Sequence, residues 1–331
     1  MTEVYADFPK RLVAVDAAMR GCGERFACNA RMARARFMCL PVLSWLALSA
    51  FSTGYTAEHG VVYASPDGKK LRATLYLPED GEAPRPAIVL IHGGGFVMGT
   101  RYQQLWYCRN FAKNGYVVMT IGYRMLPKYP FPNCLHDAKA AVRWLRANAA
   151  TYGIDPDRIG TFGASAGGHL AAFLAVRPEE EGFEGTENLG MSSDVKCAIS
   201  LYGMVDLTQY RRERPPRMLR AFPNKLLDAF AGESDGDGGG DPWADASPIT
   251  YAGPDTAPIM FVHGTRDMLV GSGQSEACYE RLRELGVPAR LVLMQGRNHG
   301  FDYVHWKERR RIFQEMLTFL ETHLDGSPSA H

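Results

Sequence analysis

Three short stretches of this chain carry residue types that together can open an acyl bond. The first is Gly163-Ala164-Ser165-Ala166-Gly167, a serine flanked by residues too small to collide. A G-x-S-x-G run lets a strand turn sharply into a helix and leaves the serine hydroxyl exposed above the sheet. The residues two before and two after must be tiny for that turn to close. The flanks RIGTF and HLAAFLA read as a strand and a helix, which gives the pattern its weight over a plain small-residue turn. A helix opening at Ala166 also directs its amide dipoles toward Ser165. The second stretch is His92-Gly93-Gly94-Gly95-Phe96. Glycines let backbone N–H groups approach to about 3 Å from a developing oxyanion. Gly94 and Gly95, with Ala166, are the natural donors. A phosphate-cradling loop competes for the same glycines, but neither the dinucleotide-binding nor the P-loop spacing fits. His92 itself is expected to hydrogen-bond within the loop rather than to react.

The third stretch supplies a base and its orienter. A serine nucleophile needs a histidine to take its proton and a carboxylate to fix the tautomer. Of the nine histidines, only His299, in GRNHGF, follows the final predicted strand at its carboxyl end. His169, one helical turn after the serine, is expected to pack beneath the turn, and His263, followed by Gly264, to form a turn. Asp267, in HGTRDMLV, completes the chain order Ser, Asp, His. Asp206 is the rival acid because it too stands just past a predicted strand, whereas Asp302 is too near His299 in sequence to orient it easily. This chemistry is acyl transfer to Ser165 followed by hydrolysis, and it implies no metal and no organic cofactor.

The elements that must hold these residues are legible from residue 60 onward. VVYAS (61–65) and KKLRATLYL (69–77) alternate as a strand pair around Pro66-Asp67-Gly68. AIVLIH (87–92), YVVMTIGYR (116–124), RIGTFGAS (158–165), VKCAISLYG (195–203), IMFVHG (259–264) and ARLVLMQ (289–295) are apolar runs. Such runs suit strands buried on both faces. Helical stripes lie between them near 102–114, 134–151, 166–176 and 275–285, with a last helix over 306–324. Alternating strands and helices imply right-handed crossovers in a doubly wound parallel sheet, with the site beyond the carboxyl ends of the strands. Residues 177–194 are predicted as a surface loop, and an insertion over about 208–257 as a small cap or lid. Within it, SDGDGGGD (234–241) has only part of a calcium-loop pattern. Gly239 and Ala246 stand where ligands are needed, so a loop is the better reading.

Composition excludes some classes. The 331 residues are 46% hydrophobic and carry 37 basic against 36 acidic residues, a net charge of +1, which leaves no basic footprint for nucleic acid. The run Lys307, Arg309, Arg310, Arg311 reads as a solvated helix face. None of the seven cysteines is spaced for a zinc or redox site. Cys108, Cys134, Cys197 and Cys278 are expected as buried thiols, with a pairing among them left open. Residues 1–57 are read as an extension and 58–331 as the catalytic domain. MARAR (32–36) precedes the apolar run FMCLPVLSWLALSAF (37–51) and then small residues, the layout of a secretory signal over 32–57 with translation starting at Met32. A membrane anchor is the weaker alternative, because the apolar run falls short of the roughly 20 residues a span needs. A helical cap built on Val4, Phe8, Leu12, Val15 and Met19 is the other.

These residues resemble the α/β-hydrolase fold esterases related to hormone-sensitive lipase, marked by a His-Gly-Gly-Gly loop ahead of the nucleophile turn. They are still more similar to the bacterial esterases that include acetyl-xylan and feruloyl esterases. That likeness rests on residues 131–172, ASPITY (246–251) and residues 263–301. It implies a serine carboxylesterase with Ser165, Asp267 and His299 as the catalytic set. The implied substrates are small esters or acylated polysaccharide; from charge and the length of the apolar run, no nucleic-acid partner and no stable membrane insertion are expected. Two departures stand out: Ala164 where an acidic residue is usual, and Phe96 where tryptophan is frequent. An arylformamidase, a prolyl-oligopeptidase-type peptidase and a non-catalytic binding protein on the same fold are the alternatives. Export makes its own prediction. N-terminal sequencing of the secreted protein will find a start beside one of the small residues Ala47, Ser49, Ala50, Ser52 and Gly54, whereas a mature chain beginning at Thr2 contradicts a signal peptide.

Overall fold

A computed structural model of the chain describes residues 54–178, 181–213, 224–232 and 240–324. The proposed signal region up to residue 53, the possible N-terminal cap, and most of SDGDGGGD lie outside the described residues. In chain order the elements begin with strands β1 (Tyr55–Ala64), β2 (Leu71–Pro78) and β3 (Arg85–Ile91). Next come α1 (Leu105–Lys113), β4 (Val117–Ile121), α2 (Asn133–Ala147), α3 (Ala149–Tyr152), β5 (Ile154–Ala164) and α4 (Ala166–Val176). There follow β6 (Ala198–Leu201), α5 (Leu207–Glu213), α6 (Asn224–Ala231) and α7 (Pro242–Asp245). The chain closes with β7 (Ile259–Gly264), α8 (Gly273–Glu284), β8 (Ala289–Met294), α9 (Phe301–Val304) and α10 (Trp306–Leu324).

The eight strands form one sheet in the order β1-β2-β4-β3-β5-β6-β7-β8. Pairing is antiparallel between β1 and β2 and between β2 and β4, and parallel from β4 to β8. This is the α/β-hydrolase fold. From β3 the chain crosses first to one side, to β4, and then to the other, to β5. The strand order therefore reverses beside β3, which opens a crevice at the carboxyl ends of β3 and β5. The glycine loop leaves β3 at this point and Ser165 leaves β5. Alternation along the strands builds two cores. Ala87, Val89 and Ile91 of β3 pack in the core that includes α2, α4 and α8, whereas Ile88 and Leu90 face the one formed with α1 and α10.

Three differences from the sequence reading have local causes. β1 begins at Tyr55, inside the stretch assigned to the extension, so the sheet starts before the boundary at 58. Its first residues are mostly exposed on an edge strand with a register break at Gly60, and no apolar alternation announces them. Tyr55 belongs there because its ring packs against Tyr76 of β2 at 5.7 Å. The helix expected over 134–151 divides at Asn148, whose side-chain amide donates back to the Trp144 carbonyl. The loop before β6 is anchored to the core. The Glu184 carboxylate pairs with both Lys139 and Arg143 of α2, and Phe183 is buried. Cys108, Cys134, Cys197 and Cys278 are free, buried thiols.

The turn after β5 is built on absent side chains. A Cβ at Gly163 would strike the backbone carbonyl of Gly167, and one at Gly167 would strike that of Ile91. Backbone cannot move aside cheaply in a parallel sheet, so Gly163→Ala should lose about 3 kcal/mol or fail to fold. Gly190→Ala, where nothing lies within 4 Å, should stay within about 0.5 kcal/mol of the parent. Thermal unfolding of the two variants checks this, and equal melting temperatures would contradict it.

Candidate active site

Ser165 sits between β5 and α4 with φ 55° and ψ −120°, a conformation that side chains avoid and that stores roughly 1–3 kcal/mol of strain. Its N–H donates to the Leu201 carbonyl at 2.9 Å, which pins the turn to β6. The hydroxyl stands 2.9 Å from Nε2 of His299, and Nδ1 of His299 stands 2.7 Å from Oδ2 of Asp267. With the proton on Nδ1, the imidazole donates to the carboxylate and accepts from the serine, the arrangement a general base requires. The structure thus brings Ser165, His299 and Asp267 into one hydrogen-bonded line.

Asp267 is 8% exposed. Its Oδ1 accepts the N–H groups of Leu269 and Val270, each at 2.9 Å, and its Oδ2 faces His299 and also His263, at 3.3 Å. Burial pushes this carboxyl's pKa up. Hydrogen bonds from His263 and His299, the His299 charge and the Val270 N–H outweigh burial and hold it well below the usual carboxylate range. His263 corrects the expectation of a turn former. Its ring is wholly buried at the end of β7, where Nε2–H donates to the Val270 carbonyl at 2.8 Å and Nδ1 accepts from the Ser275 hydroxyl at 2.7 Å. It therefore braces the loop that carries Asp267. The rival acid is otherwise engaged. Asp206 Oδ1 accepts from the Thr208 hydroxyl at 2.6 Å and the Gln209 N–H at 2.8 Å, which is the work of a cap at the start of α5.

The glycine loop turns back on itself through N–H groups of Val97 and Met98 that donate to the Gly94 carbonyl. Gly94 has φ 123° and no room for a Cβ against the Met98 carbonyl, so only glycine fits. A Cβ on Gly93 would lie 3.2 Å from that of Ser165, which measures how closely the loop and the serine turn approach. Among the described residues no protein acceptor takes up the N–H groups of Gly94, Gly95 or Ala166. His92 holds the loop as expected: Nδ1–H donates to the Gly93 carbonyl at 2.7 Å, and the ring stacks on Tyr123 at 4.4 Å. Burial lowers its pKa to about 4, and burial does the same for His169, whose Nδ1–H donates to the Met204 carbonyl at 2.8 Å. Both imidazoles stay neutral and structural.

Beside Ser165 lies a cavity of about 10 Å³, lined by Gly95, Phe96, Ala166, Met204, Leu227 and Val270. Leu227 comes from α6 in the insertion, and Phe230 of the same helix stacks on Phe96 with ring centroids 3.9 Å apart. Helix α6 thus closes over the serine. Met204 and Leu227 were not legible as site residues, because no motif surrounds either, and Val270, at the end of HGTRDMLV, carries no chemistry that would single it out.

The profile of the BD-FAE family matches residues 74–282, nearly two thirds of the chain. The chain belongs to the BD-FAE family. Among curated proteins, the probable carboxylic ester hydrolase LipM of Mycobacterium tuberculosis is 31% identical over 223 residues, covering 66% of this chain and 49% of LipM. The chain spans about half to three fifths of the length of the first such relatives. Solved structures are matched nearly end to end. A truncated carbohydrate esterase from gut microbiota superposes with a TM-score of 0.67 at 27% identity, covering 81% of this chain and 98% of that one. Thermogutta terrifontis esterase 2, phosphonylated by sarin, gives a TM-score of 0.69 at 28% identity, covering 80% and 95%.

The geometry separates the two acids. Asp267→Asn should keep the fold but favour the wrong tautomer of His299, lowering kcat by about 10⁴ as the same change does in a serine protease. Asp206→Asn should leave kcat within about threefold, because a cap contributes to stability and not to transition-state binding. Steady-state kinetics on both variants, with circular dichroism to show folding, checks the pair. Because Asp267 stays ionised, the kcat/KM profile should also lack a separate limb at the ordinary carboxylate pKa of about 4. Such a limb would contradict the low pKa assigned to Asp267.

Proposed function

We propose that the protein is a serine carboxylic-ester hydrolase that forms an acyl-enzyme on Ser165. The single observation that carries this reading is the line of hydrogen bonds from Ser165 through His299 to Asp267, set beside the glycine loop. In the first half-reaction His299 takes the Ser165 proton as the hydroxyl attacks the ester carbonyl, and the imidazolium then protonates the departing alcohol. In the second, a water takes the place of the alcohol, His299 takes its proton as it attacks the acyl carbon, and the imidazolium returns that proton to the Ser165 oxygen as the acid leaves. Asp267 orients the imidazole and stabilises its charge. The N–H groups of Gly94, Gly95 and Ala166 stabilise the oxyanion in both halves, a term worth about 3 kcal/mol per donor. The names of LipM and of the solved esterases support the same reaction class.

The acyl group we assign is acetyl. The space beside Ser165 is narrow and walled by Phe96, Met204, Leu227 and Val270, which favours a small acyl group over an aromatic one such as feruloyl. An acetylated polysaccharide is the substrate class we propose. The likeness to a carbohydrate esterase and the sequence resemblance to acetyl-xylan esterases support it. An exported enzyme would meet such a polymer, and export through a signal that begins at Met32 and ends before β1 is part of this proposal.

Ser165→Ala should lower kcat toward nitrophenyl acetate by about 10⁶, the loss seen in subtilisin when its nucleophile is removed. Retention of 1% or more, on the order expected for a supporting residue, would refute the nucleophile. Along a series of acetate, butyrate and octanoate esters, kcat/KM should fall at least about tenfold. Leu227→Ala should flatten the series by opening the cavity. A parent enzyme that prefers octanoate or feruloyl esters contradicts the acetyl assignment and leaves the nucleophile untouched.

A further inference from the structure

Two hydrogen bonds hold the His299 imidazole between Asp267 and Ser165, but both run along one line and leave the ring free to tilt about it. The segment carrying the ring offers little stiffness of its own. Gly296 and Gly300 both have positive φ, and Gly300 follows the histidine directly. Asn298 helps on one side, its side-chain oxygen accepting the N–H groups of His299 at 2.8 Å and Met268 at 3.0 Å. The other side is held by Tyr202. Its ring centroid lies 4.6 Å from that of His299 with the planes at 57°, and its hydroxyl donates to Oδ1 of Asp302 at 2.7 Å. Asp302 stands in α9, three residues beyond the histidine. One side chain therefore touches the imidazole with its ring and the histidine's own segment with its hydroxyl.

Two features of this contact are unfavourable for stability alone. Tyr202 has φ 42°, a left-handed conformation that a bulky residue avoids and that its N–H bond to the Val262 carbonyl at 2.8 Å helps to hold. Asp302 is a carboxyl group with no exposed surface, and burial pushes its pKa up. A glycine after β6 would relieve the first cost, and a phenylalanine–leucine pair in place of Tyr202 and Asp302 the second, since neither then leaves a buried polar group unpaired. Their coincidence at the ring contact with His299 points to a role in the reaction, where a small misplacement of a catalytic group is expensive.

We propose that Tyr202, tethered through its hydroxyl to Asp302, is a positioning residue that keeps the His299 imidazole aligned with Ser165. The inference rests on the reading of His299 as the general base. The tether acts on kcat and not on substrate binding, because it touches the imidazole's flank and no part of the proposed acyl cavity.

The test is a mutant cycle on nitrophenyl acetate with Tyr202→Phe, Asp302→Leu and the double variant. Each single variant should lower kcat about tenfold with KM within about twofold, and the double variant should fall no further, because either change breaks the same tether. Asp302→Asn, whose amide oxygen still accepts the hydroxyl, should return kcat to within about threefold of the parent, which also keeps the test alive if Asp302→Leu fails to fold. Additive losses, or losses in KM alone, would overturn the tether, as would parental kcat in Tyr202→Phe. His299→Ala separates the two levels. If it is inactive while Tyr202→Phe and Asp302→Leu match the parent, only the tether falls. If it keeps parental kcat, the reading of the site itself falls.

Discussion

The backbone at Ser165 is bent into a conformation it would not choose, and the rest of the site is arranged around that bend. A strand that ran on smoothly into α4 would bury the hydroxyl. With φ at 55°, the side chain stands clear of the sheet while the next N–H, that of Ala166, opens the helix beneath it. The bend is possible because Gly163 and Gly167 bring backbone against backbone, and because Gly93 lets the neighbouring loop close to the same point. The strain is offset by the packing of α4. All eleven residues of this helix are buried, so it is fixed between the sheet and its neighbours and cannot relax to release the turn. Stability is spent here on the exposure of one oxygen, a common trade at functional sites.

Electrostatics then decides which histidine can act. His92 and His169 are buried with a single backbone acceptor each, and burial dominates, lowering both toward pKa 4. His299 differs because it shares a buried carboxylate. Desolvation of Asp267 costs several kcal/mol. Charge-assisted hydrogen bonds return about 1.5–3 kcal/mol each, and Asp267 receives two backbone N–H groups, the short bond from His299 and a longer one from His263. The donors win, the carboxylate stays ionised, and the imidazole between it and the serine is held in one tautomer. The same histidine carries a third contact, the ring of Tyr202, which ties the end of β6 to the segment after β8. Three strand ends, those of β5, β7 and β8, bear the reacting line, and β6 braces it.

What was legible in the sequence was local. The apolar runs became the parallel strands, buried except at β8, which lies at the sheet edge with most of its residues half-exposed, and the bounds of α4, β7 and α10 coincide with the patterns at 166–176, 259–264 and 306–324. The residues that the structure draws together were visible because a nucleophile turn, a glycine loop and a strand-end acid each leave a short signature. What escaped was set by long-range contact. His263 looked like the start of a turn because nothing in HGTRD reveals that its ring will meet Ser275 and Val270. The beginning of β1 was hidden because an exposed edge strand needs no apolar alternation. Leu227 reaches the serine cavity from a helix in the insertion, where the local sequence describes an amphipathic segment and not its destination. Asp302 was set aside as too close to His299 to orient it directly. Its partner is Tyr202, one hundred residues earlier in the chain.

The central claim is a covalent one: the acyl group passes through the oxygen of Ser165. Mixing the enzyme with excess nitrophenyl acetate and quenching in acid within the first turnovers should trap that species. Intact-protein mass spectrometry should then find one added acetyl group per chain, and peptide mapping should place it on the peptide containing Gly163–Gly167. Acetyl found on another residue, or steady release of nitrophenol with no trapped adduct in a Ser165→Ala control and parent alike, would contradict the account at its centre.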